Sequence, residues 1–235
     1  MDGSYVPALP GQQFLNGNYD HAISVIAARN GNEGALFTSP DIINNTAFSK
    51  FVQNLLPEAS NSTLDHILTV LYPPVFDGAY PYLTQLERAQ LIISEFTITC
   101  NSYFVASAMA HYSLTKPRWS RPTAAWSQAW KYIFSVPPAY HSTDIPYTFF
   151  NGDTTSRLEI GLGTVDPVVA GVLQDFIVSF VQDGYPSSKD AKVFEGYRRG
   201  VYDLNSTGLG TMYKDPDDNE RCRYWQAASW TCDRQ

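Results

Sequence analysis

Two residues of the kind that move protons stand out in this sequence: Glu33, within RNGNEGALF, and His141, within SVPPAYHSTDIPYTFF. An imidazole with an ordinary pKa of about 6.5 can take a hydroxyl proton near neutral pH and hand it on to a leaving alcohol. A carboxylate on its other ring nitrogen would fix the tautomer and stabilise the imidazolium. Neither residue is a nucleophile, and the chain contains no G-x-S-x-G, the pattern that exposes a serine on a strand-to-helix elbow. Asp144, just beyond the histidine, admits two readings: a hydrogen-bond partner behind the site, or a local cap of the turn that Pro146 enters. His21, His66 and His111 lack comparable surroundings and read as surface or helix-face residues. No Cys/His spacing has the form of a zinc site, and neither a metal nor a cofactor is expected.

Both candidates follow short buried strands. HAISVIAARN, His21 to Asn30, is a β-branched and Ala-rich run ended by Asn-Gly, and Glu33 comes directly after that turn. WKYIFSVPP, Trp130 to Pro138, is a second such run, ended by prolines that cannot continue a ladder, and His141 lies in the loop beyond. Functional groups of open α/β sheets collect past the carboxyl ends of strands, which is where both residues fall. Helices are expected between them. One should be capped by Ser39, with Pro40 first, and run to Pro57; another should start within Ser60 to Thr63 and stop at Pro73 and Pro74. Thr84 to Tyr112 has helical period and is read as two helices joined near Thr97 to Asn101. DPVVAGVLQDFIVSFVQDG is a further helix, capped by Asp166, with Pro167 first and Gly184 at its end. Tyr185 to Gln235 reads as turn-rich, with one short strand around GLGTMYK. Aromatic residues at helical spacing are assigned to the core. Cys100, in an apolar helical stretch, reads as a buried free thiol, while Cys222 and Cys232 could close a short loop.

Composition removes several classes of function. The 16 Lys and Arg residues are scattered and the net charge is −7, so no basic stripe could track phosphates and nucleic acid is not an expected partner. VVAGVLQDFIVSFV is interrupted by Gln174 and Asp175, and no run reaches the roughly 20 apolar residues of a membrane helix. Sequons at Asn44, Asn61 and Asn205 point to a secreted glycoprotein, although MDGSYVPALPGQ has neither the basic start nor the apolar core of a signal peptide.

The segment DGSYVPALPGQQFLNGNYDHAISVIAARNGNEGALFTSP resembles the one leading into the triad acid of type-B carboxylesterases, the cholinesterase and lipase-like family. Asn30, Asn32, Glu33, Gly34 and Phe37 match that family's N-x-[DN]-E-G pattern with its following aromatic. FSVPPAYHSTDIPYTF is similar to its histidine segment, H-G-x-[DE]-[IV]-P-[YF]-x-F, through His141, Asp144, Ile145, Pro146, Tyr147 and Phe149. ISEFTITCNSYFVA and WSQAW resemble the secreted fungal branch, and the likeness runs from Asp2 to about Trp225. Ser142 stands where the family usually has Gly. The resemblance implies an α/β class chain, the C-terminal part of an α/β-hydrolase fold, with residues 1–235 forming one domain of partial sheet and flanking helices. It implies a carboxylic ester substrate, with Glu33 and His141 as acid and base of a Ser-Glu-His triad. The serine and oxyanion segment would belong to a missing N-terminal portion, in an enzyme about twice as long, so that the chain alone would be inactive. The competing expectation is a noncatalytic binding or adhesion module on the same fold.

Overall fold

The computed structural model describes residues 4–115, 129–155, 163–206 and 210–227. It contains two compact units: Tyr19–Asn32 with Ser102–Pro216, and Met1–Asn18 with Glu33–Asn101 and Asp217–Gln235.

The first unit is built on a four-stranded sheet of order β1-β2-β3-β4, with strands Val25–Asn30, Ala129–Phe134, Val201–Leu204 and Thr211–Tyr213. β1 pairs parallel with β2 from Val25↔Ala129 to Asn30↔Phe134; β2 pairs parallel with β3, and β3 antiparallel with β4. β2 is buried throughout, as a strand covered on both faces must be. Its alternate residues Trp130, Tyr132 and Phe134 share a core with Val169, Leu173 and Phe176 of α7 (Pro167–Asp183). α7 has the ends its sequence predicts. Asp166 Oδ1 accepts the Val168 and Val169 amides at 2.8 and 3.4 Å, and Gly184 closes the helix at φ 82°. Between these strand residues, Lys131 is wholly buried on a strand and donates to Asp215 at 2.8 Å, and Asp215 also accepts from the Tyr197 hydroxyl at 2.6 Å. Removing either charge would break a buried ion pair, at a cost of about 3–5 kcal/mol.

The second unit is helical: α1 (Pro10–Leu15), α2 (Asn45–Leu55), α3 (Asn61–His66), α4 (Gln85–Ser94), the start of α5 (Cys100–Thr115) and α8 (Glu220–Ala227). Ser60 and Thr84 cap α3 and α4 by accepting the Thr63 and Glu87 amides at 3.2 and 3.1 Å. α3 widens into a π turn, Ile67–Leu71, before Pro73, and another π turn, Glu95–Thr99, joins α4 to α5 where a break between two helices is expected. Arg88 satisfies carbonyls in and just after the first π turn. Its guanidinium donates to Leu68 O at 2.8 Å and to Tyr72 O, and lies 3.7 Å over the Phe48 ring. Burial lowers its pKa to about 10.

Three sequence expectations are corrected. α2 does not begin at Pro40; Asn44 caps it, accepting the Ala47 amide at 2.9 Å, while the Ser39 hydroxyl is occupied by Asp41. Cys100 is not a free thiol and Cys222 does not await Cys232, because Cys100 and Cys222 form a disulfide with Cα atoms 5.0 Å apart. Cys232 lies outside the described residues. The C-terminal region holds more regular structure than its turn-rich composition suggests, since β3 and α8 join the expected β4. Beside the disulfide, buried Glu95 receives Arg221 Nε and Nη2, each at 2.8 Å, and the Tyr72 hydroxyl at 2.6 Å. Tyr72 in turn accepts Trp225 Nε1 at 2.9 Å.

Candidate active site

β1 and β2 run in the same direction, so their carboxyl ends open side by side. Past those ends the pairing continues. The Gly31 amide donates to Phe134 O at 3.0 Å, the Asn32 amide to Ala139 O at 2.7 Å, and Asn32 forms a parallel bridge with Tyr140. Asn32 immediately precedes Glu33, and Tyr140 immediately precedes His141.

Glu33 is 2% exposed, so its carboxylate is buried in the turn that follows β1. Its turn is fastened by the next residue. The Gly34 amide donates to Ser94 Oγ at 2.7 Å, and a Cβ at that position would collide with Gln90 O and with Ile93. Only glycine lets the backbone lie this close to α4.

His141 is half-buried and opens a tight turn. The Thr143 amide donates to Tyr140 O at 3.0 Å and the Ile145 amide to Ser142 O at 3.2 Å, leading into the short helix α6 (Ile145–Thr148). Two non-glycine residues of this segment, Ala139 (φ 54°) and Ser142 (φ 71°), are left-handed. The position where the resembled family has Gly is therefore one whose backbone favours Gly.

The two readings of Asp144 are now separated. It makes no side-chain cap to α6; its Oδ1 instead accepts Asn30 Nδ2 at 3.0 Å. Asn30 Oδ1 accepts the Thr143 hydroxyl at 3.1 Å. Burial, and then the Asp144 charge, raise the pKa of Tyr132 on β2. Sequence reasoning did not single out Asn30 and Thr143 for this network. Asn30 was visible as a polar residue ending an apolar strand, whereas nothing local marks Thr143. Among the described residues no His/Cys/Asp/Glu group could hold a metal ion, and no helix is long and apolar enough to cross a membrane.

No family model matches the chain. Over 229 residues, 96% of its length, it is 31% identical to carboxylesterase patB of Aspergillus clavatus, and over 227 residues it is 29% identical to carboxylesterase patB of Penicillium expansum. Its fold matches the crystal structure of Aspergillus niger EstA with a TM-score of 0.71 at 20% identity, covering 96% of this chain and 43% of that one. Over nearly its whole length the chain is similar to carboxylesterases. It spans 37% and 36% of the lengths of the two patB relatives. The four-stranded mixed sheet with its flanking helices is part of an α/β-hydrolase fold, and the lineage is one of ester hydrolases. Within such a fold the acid and histidine follow the serine in chain order, and Glu33 and His141 occur in that order.

Proposed function

We propose that this chain supplies the acid and base of a Ser-Glu-His esterase centre. His141 takes the proton of a serine hydroxyl as that oxygen attacks the ester carbonyl, then delivers it to the departing alcohol. Water attacks the acyl-enzyme by the same route in reverse. Glu33 holds the imidazole in the required tautomer. The serine comes from protein outside these 235 residues, which contain no G-x-S-x-G. The observation that carries the reading is the bridge between Asn32 and Tyr140, the residues immediately before the acid and the base, at the carboxyl ends of adjacent parallel strands. The experiment compares this chain alone with the enzyme in which it is joined to its serine-bearing segment, on a nitrophenyl ester. The chain alone should show no turnover above trace. In the joined enzyme, His141→Ala should lower kcat by roughly 10⁶-fold and Glu33→Gln by roughly 10⁴-fold. Full activity in either variant would end the assignment of that residue, and a joined form that hydrolyses no ester would leave a binding module as the reading.

The whole protein is further assigned to the secretory route, as a glycoprotein. The Cys100–Cys222 disulfide belongs to an oxidising compartment, and Asn44 and Asn61, both exposed, carry sequons. Asn44 uses only Oδ1 to cap α2, so a glycan on its amide nitrogen leaves the cap intact. Asn205 is half-buried, with Nδ2 donating to Asp203 at 3.1 Å. In a secreting host, Thr46→Ala and Thr63→Ala should each remove one glycan by intact mass. Unchanged mass in both variants would remove this assignment.

A further inference from the structure

Asn30 and Asn32 sit two residues apart at the end of β1, and their side chains grip the histidine segment on either side of His141. Asn32 Nδ2 donates to Pro138 O at 2.9 Å, ahead of the histidine; Asn30 holds Thr143 and Asp144 behind it. The left-handed Ser142 lies between the two grips. Asn30 is 4% exposed and Thr143 is 2% exposed, so the bond between them is made away from water, the Asn30–Asp144 bond is partly so, and the Asn32 bond to Pro138 is exposed. An ionised Asp144 can only accept, which obliges the Asn30 amide nitrogen to face it and leaves the amide oxygen for the Thr143 hydroxyl. Only a side chain that donates at one end and accepts at the other satisfies both partners. Aspartate would set two carboxylates against each other, and leucine would leave both partners unmet.

We infer that Asn30 is a positioning residue for His141: its buried amide fixes the turn that carries the imidazole, and so sets where the base stands. This rests on the acid–base reading above. The clamp acts through geometry and touches no substrate. The polarity can be reversed with volume and net charge conserved: in Asn30→Asp combined with Asp144→Asn, the carboxylate accepts from both the new amide and Thr143.

The test reads His141 directly, by the rate at which diethyl pyrocarbonate modifies its peptide at neutral pH, with His66 as internal reference and circular dichroism as the check on folding. Asn30→Asp should change the His141 rate several-fold while His66 holds, and the reversed pair should restore it. In the enzyme joined to its serine-bearing segment, Asn30→Asp should lower kcat on the order of 100-fold, with KM little changed and activity recovered in the reversed pair. Should Asn30→Asp fail to fold, Thr143→Val, which removes one hydroxyl at nearly constant volume, should move the His141 rate in the same direction by a smaller factor. An unchanged His141 rate in a folded variant would overturn the inference, as would a reversed pair no better than the single change, or His66 shifting in parallel. A His141 rate that responds as stated, in a protein whose joined form hydrolyses no ester, would uphold the clamp and refute the acid–base reading.

Discussion

Ser142 occupies a backbone conformation that costs an L-residue roughly 1–2 kcal/mol, next to the residue proposed as the base. The turn holds it there because the flanking bonds, Thr143 amide to Tyr140 O and Ile145 amide to Ser142 O, require that bend. Ser142→Gly should raise stability by about 1 kcal/mol, read as a higher denaturant midpoint at unchanged slope. A lower midpoint would mean that the serine side chain makes an interaction worth more than its strain. The residue scale is also where the sequence spoke most clearly about the site. Glu33 with Gly34, and His141 with Asp144, are local patterns, and the structure shows what the second member of each pair does. Gly34 permits the close approach to α4, and Asp144 accepts the Asn30 amide. Thr143 was hidden because its partner is far away in the sequence and meets it only once β1 and β2 have paired.

At the level of elements, what was legible was what neighbouring residues decide. Asp166, Pro167 and Gly184 delimit α7 from within their own segment, as Ser60 and Thr84 start α3 and α4. α2 was misplaced at its start because two cap residues compete there, and the competition is settled by Asn44 reaching the Ala47 amide. β3 is four residues long and is defined by pairing with β2 on one side and β4 on the other; α8 is tied by Cys222 and by Arg221 to Glu95. Such elements have no short-range signature. The cluster joining α8 to α4 should respond to alkali. Burial, and then the Glu95 charge and hydrogen bond, raise the Tyr72 pKa well above its ordinary value of about 10, because only the protonated phenol can donate to Glu95. A raised folded pKa means that this contribution is complete below pH 10 and is lost as pH climbs through the folded value. Thermal melts between pH 8 and about 12 should show the native chain losing stability more steeply above about pH 10 than Tyr72→Phe, which has no proton to lose there. Parallel curves would place the alkaline sensitivity elsewhere.

For the molecule as a whole, the sheet is the element with most at stake. Among the described residues β1 pairs as a strand only with β2, so its other side is an edge of the sheet, and Ile26 and Ala28 are only partly buried. Each 100 Å² of apolar surface left in water forgoes about 2.5 kcal/mol, against a net domain stability of only about 5–15 kcal/mol. The 235-residue chain by itself should therefore self-associate on size exclusion, and the form joined to its serine-bearing segment should run as a single species that melts cooperatively. A short chain that stays monomeric and melts sharply would favour an independent binding module.

The Cys100–Cys222 bond also sets a clock. Its partners are 122 residues apart, and at about 5–20 residues per second a ribosome needs on the order of 6–25 s to deliver the second after the first. Throughout that interval Cys100 is open to any other thiol or oxidant it meets, and the correct bond can form only once Cys222 has been made. Chains that stall or end before Cys222 would carry an unmated Cys100, a chemical mark by which a quality-control system could tell unfinished molecules from finished ones.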